Sequence, residues 1–127
     1  MVELADALAY GGRLEAAENL IMNAMRLNPF YPDWYLWYLA DIYFGMERYK
    51  DVVATIARMR DRSEGYRLLA AAHAMLGDLN AASEFGAKVM ERQPGFSVSR
   101  WAAIQPDVDP GIHQRFVEAL LKAGLPR

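Results

Sequence analysis

The side chains that could do chemistry are few and scattered. His73 and His113 stand forty residues apart, there is no cysteine, and no dense acidic cluster accompanies either ring. A zinc site needs four converging nitrogen, sulfur or carboxylate ligands, so none is expected. His73 reads as a packed, hydrogen-bonded residue and His113 as a surface residue of a C-terminal helix. Glu15 and Glu18 share a helix face at i,i+3 spacing, which reads as a solvated charged pair rather than an acid/base couple. Ser97 and Ser99 have no partner base nearby in sequence and read as helix-starting residues. Gly11-Gly12 lacks the surrounding phosphate-binding pattern and reads as a hairpin turn. No catalytic residue, cofactor or metal ligand is expected, and this chain is not read as an enzyme.

Composition sets the remaining bounds. At 127 residues a single domain with a real core is the natural expectation. The net charge of −2, with both signs interspersed, offers no basic face for nucleic acid or an anionic membrane. No apolar run approaches the roughly 20 residues of a membrane span, and the N-terminus lacks signal-peptide features. The absence of cysteine fits a reducing compartment, so a cytoplasmic location is expected.

A repeat organises the chain. The first unit reads Leu4-Ala5, Leu8, Gly12, then Ala17, Ile21, Ala24 and Pro29. The second reads Leu36, Leu39-Ala40, Tyr43, then Tyr49, Val52, Ile56 and Met59. The third reads Tyr66, Leu69-Ala70, His73, Gly77, then Leu79, Ala82, Val89 and Pro94. A large residue, an apolar-small pair, an aromatic position, a turn and a small residue recur in phase. This pattern resembles the tetratricopeptide repeat, in which helical hairpins stack because none can bury its apolar face alone. The expected fold is all-α, a right-handed solenoid of three hairpins (1–30, 31–62, 63–94) with a C-terminal capping helix. Helices are expected near 1–10, 13–27, 32–45, 48–61, 63–76 and 79–92. Met1 already occupies the first large position of the leading helix, which has lost its opening turn, so the first repeat reads as N-terminally truncated, as in a fragment of a longer protein. The spacing from Gly12 to Glu47 is 35 residues but from Glu47 to Gly77 only 30, because the connection at Arg60–Ser63 lacks Asn-Pro. Gly86 stands where a large residue belongs, so either Phe85 fills the gap or a bulky side chain from the tail enters it.

Residues 95–127 leave the repeat. "GFSVSRWAAIQPDV" predicts a short helical turn ending before Pro106. "DPGIHQRFVEALLKAGLPR" predicts a capping helix over 110–123, with Asp109 as N-cap, Pro110 at the first position and Gly124 as its stop. Ile112, Phe116, Val117, Leu120 and Leu121 form its apolar stripe.

"LNPFYPDWYLWYLA", "PGFSVSRW" and the ending "DP…LLKAGLP" resemble the C-terminal tetratricopeptide region of bacterial class III adenylate/guanylate cyclase-like proteins of the rhizobial type. The resemblance spans nearly the whole chain. It implies a regulatory or assembly role beside an N-terminal catalytic domain whose metal-binding aspartates have no counterpart here.

Residues 28–44 hold eight of the fifteen Phe, Trp and Tyr residues, more than one helix face can bury. On tetratricopeptide geometry the leading helices line an inner groove with Asp6, Tyr10, Trp34, Trp37, Asp41, Phe44, Arg67, Ala71 and Met75. Leu36, Leu39, Ala40 and Tyr43 then face the core. The expected occupant is a protein or peptide, the chain's own tail, or a second copy in a homodimer. Two acids, Asp6 and Asp41, against one base, Arg67, argue against capture of a carboxylate and for a basic, apolar partner. A small-ligand-binding or enzymatic helical domain, and a purely structural spacer, are the alternatives. Met22, Met25, Met46, Met59, Met75 and Met90 read as adaptable packing residues.

Overall fold

The structure, a computed structural model, describes residues 14–103 and 110–127. These residues form seven α-helices and one short 3-10 turn, with no strand among them. They fall into two compact units, one running to Arg62 and the other starting at Ser63. The expected helix at 1–10, the Gly11-Gly12 turn and Asp109 lie outside the described residues.

In the first unit, α1 (Leu14–Leu27) buries only Ala17, Ile21 and Met25, a single stripe at four-residue spacing. It ends where Asn28-Pro29 removes the next backbone donor. Helix α2 (Asp33–Gly45) differs. Leu36, Leu39, Ala40, Ile42, Tyr43, Phe44 and Gly45 are all buried, which takes in most of its circumference. Helix α2 packs against α1 and also against α3 (Tyr49–Ile56), so it has two covered sides.

The turn from α2 to α3 is a Schellman motif. Glu47 N–H donates to Phe44 O at 3.0 Å and Arg48 N–H to Tyr43 O at 2.9 Å. The motif needs a left-handed residue, and here it is not glycine: Glu47 has φ +61°. The corresponding position in the second unit is Gly77, with φ +84°.

Helix α3 ends at Ile56, short of the expected 61. Arg58 N–H and Met59 N–H turn to carbonyls only three residues back, Thr55 O and Ile56 O. The Asp33 carboxylate then accepts from Arg60 N–H and Asp61 N–H, each at 2.9 Å. Charge-assisted bonds to a carboxylate outcompete the helical carbonyls for those two donors. The same acid opens α2, so the start of α2 and the exit from α3 are tied together.

In the second unit, α4 (Tyr66–Met75) and α5 (Leu79–Arg92) form a hairpin, with Asp78 capping α5 by accepting from Ala81 N–H at 3.1 Å. Helix α4 buries Leu68, Leu69, Ala70, Ala71, Ala72 and Ala74, more than one partner can cover. The second cover comes from the tail: α7 (Pro110–Lys122) packs against α4 as well as α5, and α6 (Val98–Ala103) packs on α7. The buried face of the tail is Phe116, Ala119, Leu120, Ala123 and Leu125, while Ile112, Val117 and Leu121 are only partly buried. Burial of Phe116, Leu120 and Leu125 contributes on the order of 2 kcal/mol each before entropy.

Gly86 is where the tail seats. A Cβ built there would lie 2.8 Å from the Ala123 carbonyl oxygen and 3.7 Å from Leu125 Cγ. The tail therefore enters this gap, chiefly with its backbone rather than with a bulky side chain. Phe85 points elsewhere, stacking on His73 with ring centroids 5.5 Å apart and lying 5.9 Å from Tyr66. A further Schellman turn at Gly124, φ +89°, redirects the chain after α7, with Leu125 N–H donating to Leu120 O. The last residues then pair with the start of α6: Val98 N–H donates to Pro126 O and Ser97 Oγ to Arg127 O, both at 2.8 Å.

Two outcomes follow from these turns and contacts. Glu47→Gly relieves the left-handed strain and raises unfolding free energy by about 1 kcal/mol in a urea titration. Gly86→Ala gains about 1 kcal/mol of helix propensity but collides with a carbonyl oxygen. Its net effect is a loss of about 1–3 kcal/mol, accompanied by faster proteolysis of the segment after Gln93.

Candidate functional site

The nine residues expected to line a groove separate into distinct environments. Asp6 and Tyr10 lie outside the described residues. Phe44 and Ala71 are fully buried, and this corrects their assignment to a surface. Phe44 sits edge-on to Tyr49 at 5.2 Å, so the turn into α3 folds back over it. Ala71 lies on a helix covered by both α5 and α7. Trp37, Asp41 and Met75 are partly buried, and Asp41 is engaged in the structure. Trp34 is 47% exposed and is the most accessible of the set that is described. The four residues assigned to the core, Leu36, Leu39, Ala40 and Tyr43, are all buried.

Around Trp34 the first unit builds a fixed aromatic base. Trp34 meets Tyr35 edge-to-face at 4.5 Å, and Tyr35 stacks on Tyr31 at 5.8 Å. Arg58 Nη2 donates to Tyr31 Oη at 3.1 Å, and Asp33 anchors the backbone beside them. On the same stretch, Leu27 is 72% and Phe30 85% exposed. Sequence reasoning passed over both, because Leu27 ends a helix and Phe30 falls in a loop, outside the helical count. The signal was there in the pair of prolines: Pro29 and Pro32 hold Phe30 in a segment that cannot fold back into either helix.

A polar cluster occupies another part of the first unit. Tyr43 Oη donates to Glu18 Oε2 at 2.7 Å, and Arg48 bridges Glu18 at 3.5 Å and Asp51 at 2.7 Å. The Arg48 guanidinium also lies 4.5 Å over the Tyr43 ring. Burial, with the hydrogen bond to Glu18 behind it, pushes the Tyr43 phenol up to about 12. A phenol held protonated in this way is a structural donor, the opposite of an activated base or nucleophile.

In the second unit, Arg67 belongs with the tail. Its guanidinium lies 5.5 Å over the Trp101 ring and 6.0 Å from the Phe96 centroid. Trp101 in turn meets Phe116 at 4.9 Å and lies parallel to His113 at 6.5 Å. His113 is thus partly buried against a ring rather than free on the helix surface. His73 packs on Phe85, with Nδ1 3.8 Å from Asp78. Among the described residues no group of three or more His, Cys, Asp or Glu is placed to hold a metal ion. No helix among them is long and apolar enough to cross a membrane.

The Tyr43–Glu18 bond generates a pH-dependent outcome. Because the folded phenol titrates near 12 and an unfolded tyrosine near 10, this contribution is complete below pH 10 and is lost as pH rises through 12. Tyr43→Phe costs roughly 1–2 kcal/mol at neutral pH. The gap between variant and parent closes between about pH 10 and 12, measured by urea unfolding with phenolate absorbance followed in parallel. No protein-family model matches this chain, and no curated protein and no solved structure matches it either.

Proposed function

We propose that this chain is a tetratricopeptide-type helical module that binds another polypeptide through the Leu27–Trp34 stretch. In the setting suggested by its resemblance to cyclase-like proteins, it would serve as the regulatory or assembly region beside a catalytic domain. The observation that carries the reading is the 85% exposure of Phe30 on a segment whose neighbours are anchored. Among the described residues of the first unit, three of the four exposed large apolar side chains fall within these eight positions. Single exposed apolar residues are ordinary, but a local concentration of them marks an interaction surface. Trp34 and its tyrosine neighbours are already ordered, so a partner meets rigid rings and little side-chain entropy is lost on binding.

Selection of peptides from a displayed random library against the full chain, with light scattering of the chain alone, tests this reading. Enriched sequences are expected to carry apolar anchors. Phe30→Ser combined with Trp34→Ser is expected to weaken binding by at least about tenfold, or 1.4 kcal/mol, while the variant stays folded with a loss of unfolding free energy of about 1 kcal/mol from the Trp34–Tyr35 contact. A chain that enriches no peptide and stays monomeric at all concentrations is not a docking module. Nor is one whose double variant binds as tightly as the parent.

A further inference from the structure

Cations border the exposed side chains of Leu27, Phe30 and Trp34. Arg26 immediately precedes Leu27, and Arg58 is fixed at Tyr31 by its bond to the phenol oxygen. Arg60 is tied beside Trp34, since its backbone N–H donates to Asp33. Together the stretches 26–34 and 58–62 carry four arginines, Arg62 included, against two carboxylates, Asp33 and Asp61. Asp33 already turns both oxygens to backbone N–H groups, those of Arg60 and Asp61.

Arg26, Arg58 and Arg60 are all exposed. The ion pairs of the first unit belong to Arg48 instead. Arg26 and Arg58 meet neutral partners, the Asn23 amide and the Tyr31 hydroxyl. Among the described residues none of the three pairs with a carboxylate. A guanidinium has five N–H donors, so one bond to a neutral oxygen leaves Arg26 and Arg58 most of theirs for a ligand.

The size of the apolar patch narrows the occupant. A whole aromatic side chain offers about 150–250 Å² of surface, so the exposed parts of Phe30, Trp34 and Leu27 sum to on the order of 400 Å². A stable dimer covers about 800 Å² on each partner, twice what this patch supplies. The chain's own tail is engaged in the second unit, where Pro126 and Arg127 pair with Val98 and Ser97. A short segment with one or two apolar anchors matches the area, and the cations at the rim favour one that carries acid.

We infer that the Leu27–Trp34 surface takes a short acidic peptide segment. An aromatic or aliphatic anchor packs on Phe30 and Trp34, and flanking aspartate or glutamate carboxylates meet Arg26, Arg58 and Arg60. This names the partner class for the docking surface proposed above and rests on that reading.

Three labelled peptides test it, each with the same Phe and Leu anchors and flanked by glutamate, by glutamine or by lysine. Their binding to the full chain is followed by fluorescence anisotropy at low and at physiological salt. The glutamate peptide is expected to bind at least about fivefold tighter than the glutamine one, and the lysine peptide weakest. Added salt is expected to narrow that spread. Arg26→Gln combined with Arg58→Gln is expected to bring the glutamate peptide down to the glutamine level while leaving the glutamine peptide unchanged. If that variant does not fold, Arg26→Gln with Arg60→Gln, which keeps the Tyr31 bond, is expected to do the same. Equal binding of the glutamate and glutamine peptides, both weakened by Phe30→Ser with Trp34→Ser, overturns the inference and leaves the docking reading standing. Failure of all three peptides to bind overturns the inference, and the random-library selection then decides the docking reading by itself. Dimerisation lost in the Phe30→Ser, Trp34→Ser variant assigns the surface to a second copy and also overturns it. So does sedimentation with phosphatidylserine vesicles that the same variant abolishes, which assigns the surface to a membrane.

Discussion

A helical hairpin covers one side of each of its helices, and two helices in this chain are apolar on more than one side. Helix α2 buries seven of its thirteen residues and α4 six of its ten, distributed around the cylinder rather than along a stripe. An uncovered second side would leave large side chains of α2 in water, at roughly 1.5–3 kcal/mol each, and on α4 would expose leucine and alanine surface. Both units meet this requirement in the same way, by placing a helix on each side: α1 and α3 around α2, α5 and α7 around α4. The remaining helices have narrower apolar faces because they cover rather than being covered. Helix α1 shows this most plainly, with three buried residues in fourteen.

The tail is therefore a layer of the second unit. Its helix lies on both members of the α4–α5 hairpin, its carbonyl approaches α5 where Gly86 provides no side chain, and its final turn runs back to α6. This arrangement brings Trp101 beneath the Arg67 guanidinium, a contact between two segments more than thirty residues apart.

Helix positions were legible because they depend on local signals. The starts and stops of α1, α2 and α5 fall within a residue or so of the expected ones. Gly77 and Gly124 adopt the left-handed conformation that their places after helices demanded. The failures share one cause, since side-chain counts on a template give an angle around a helix but do not name its neighbours. Phe44 and Ala71 had surface angles on that template and lie buried because α3 and α7 supply cover the count did not contain. The early end of α3 was hidden for the same reason. Nothing near Ile56 announces it, and the carboxylate that takes the next backbone donors belongs to Asp33, more than twenty-five residues upstream.

The seat at Gly86 also bears on how this chain can change over generations. Every replacement of glycine, whatever the codon change, introduces the same Cβ, and here that atom meets a main-chain oxygen at 2.8 Å. There is no graded series of substitutes at this place, in contrast to a core position where Ile can drift to Val or Leu. Descendants of this sequence would keep glycine at 86 for as long as their tails hold this path, and a lineage that lost it would have to reroute the tail.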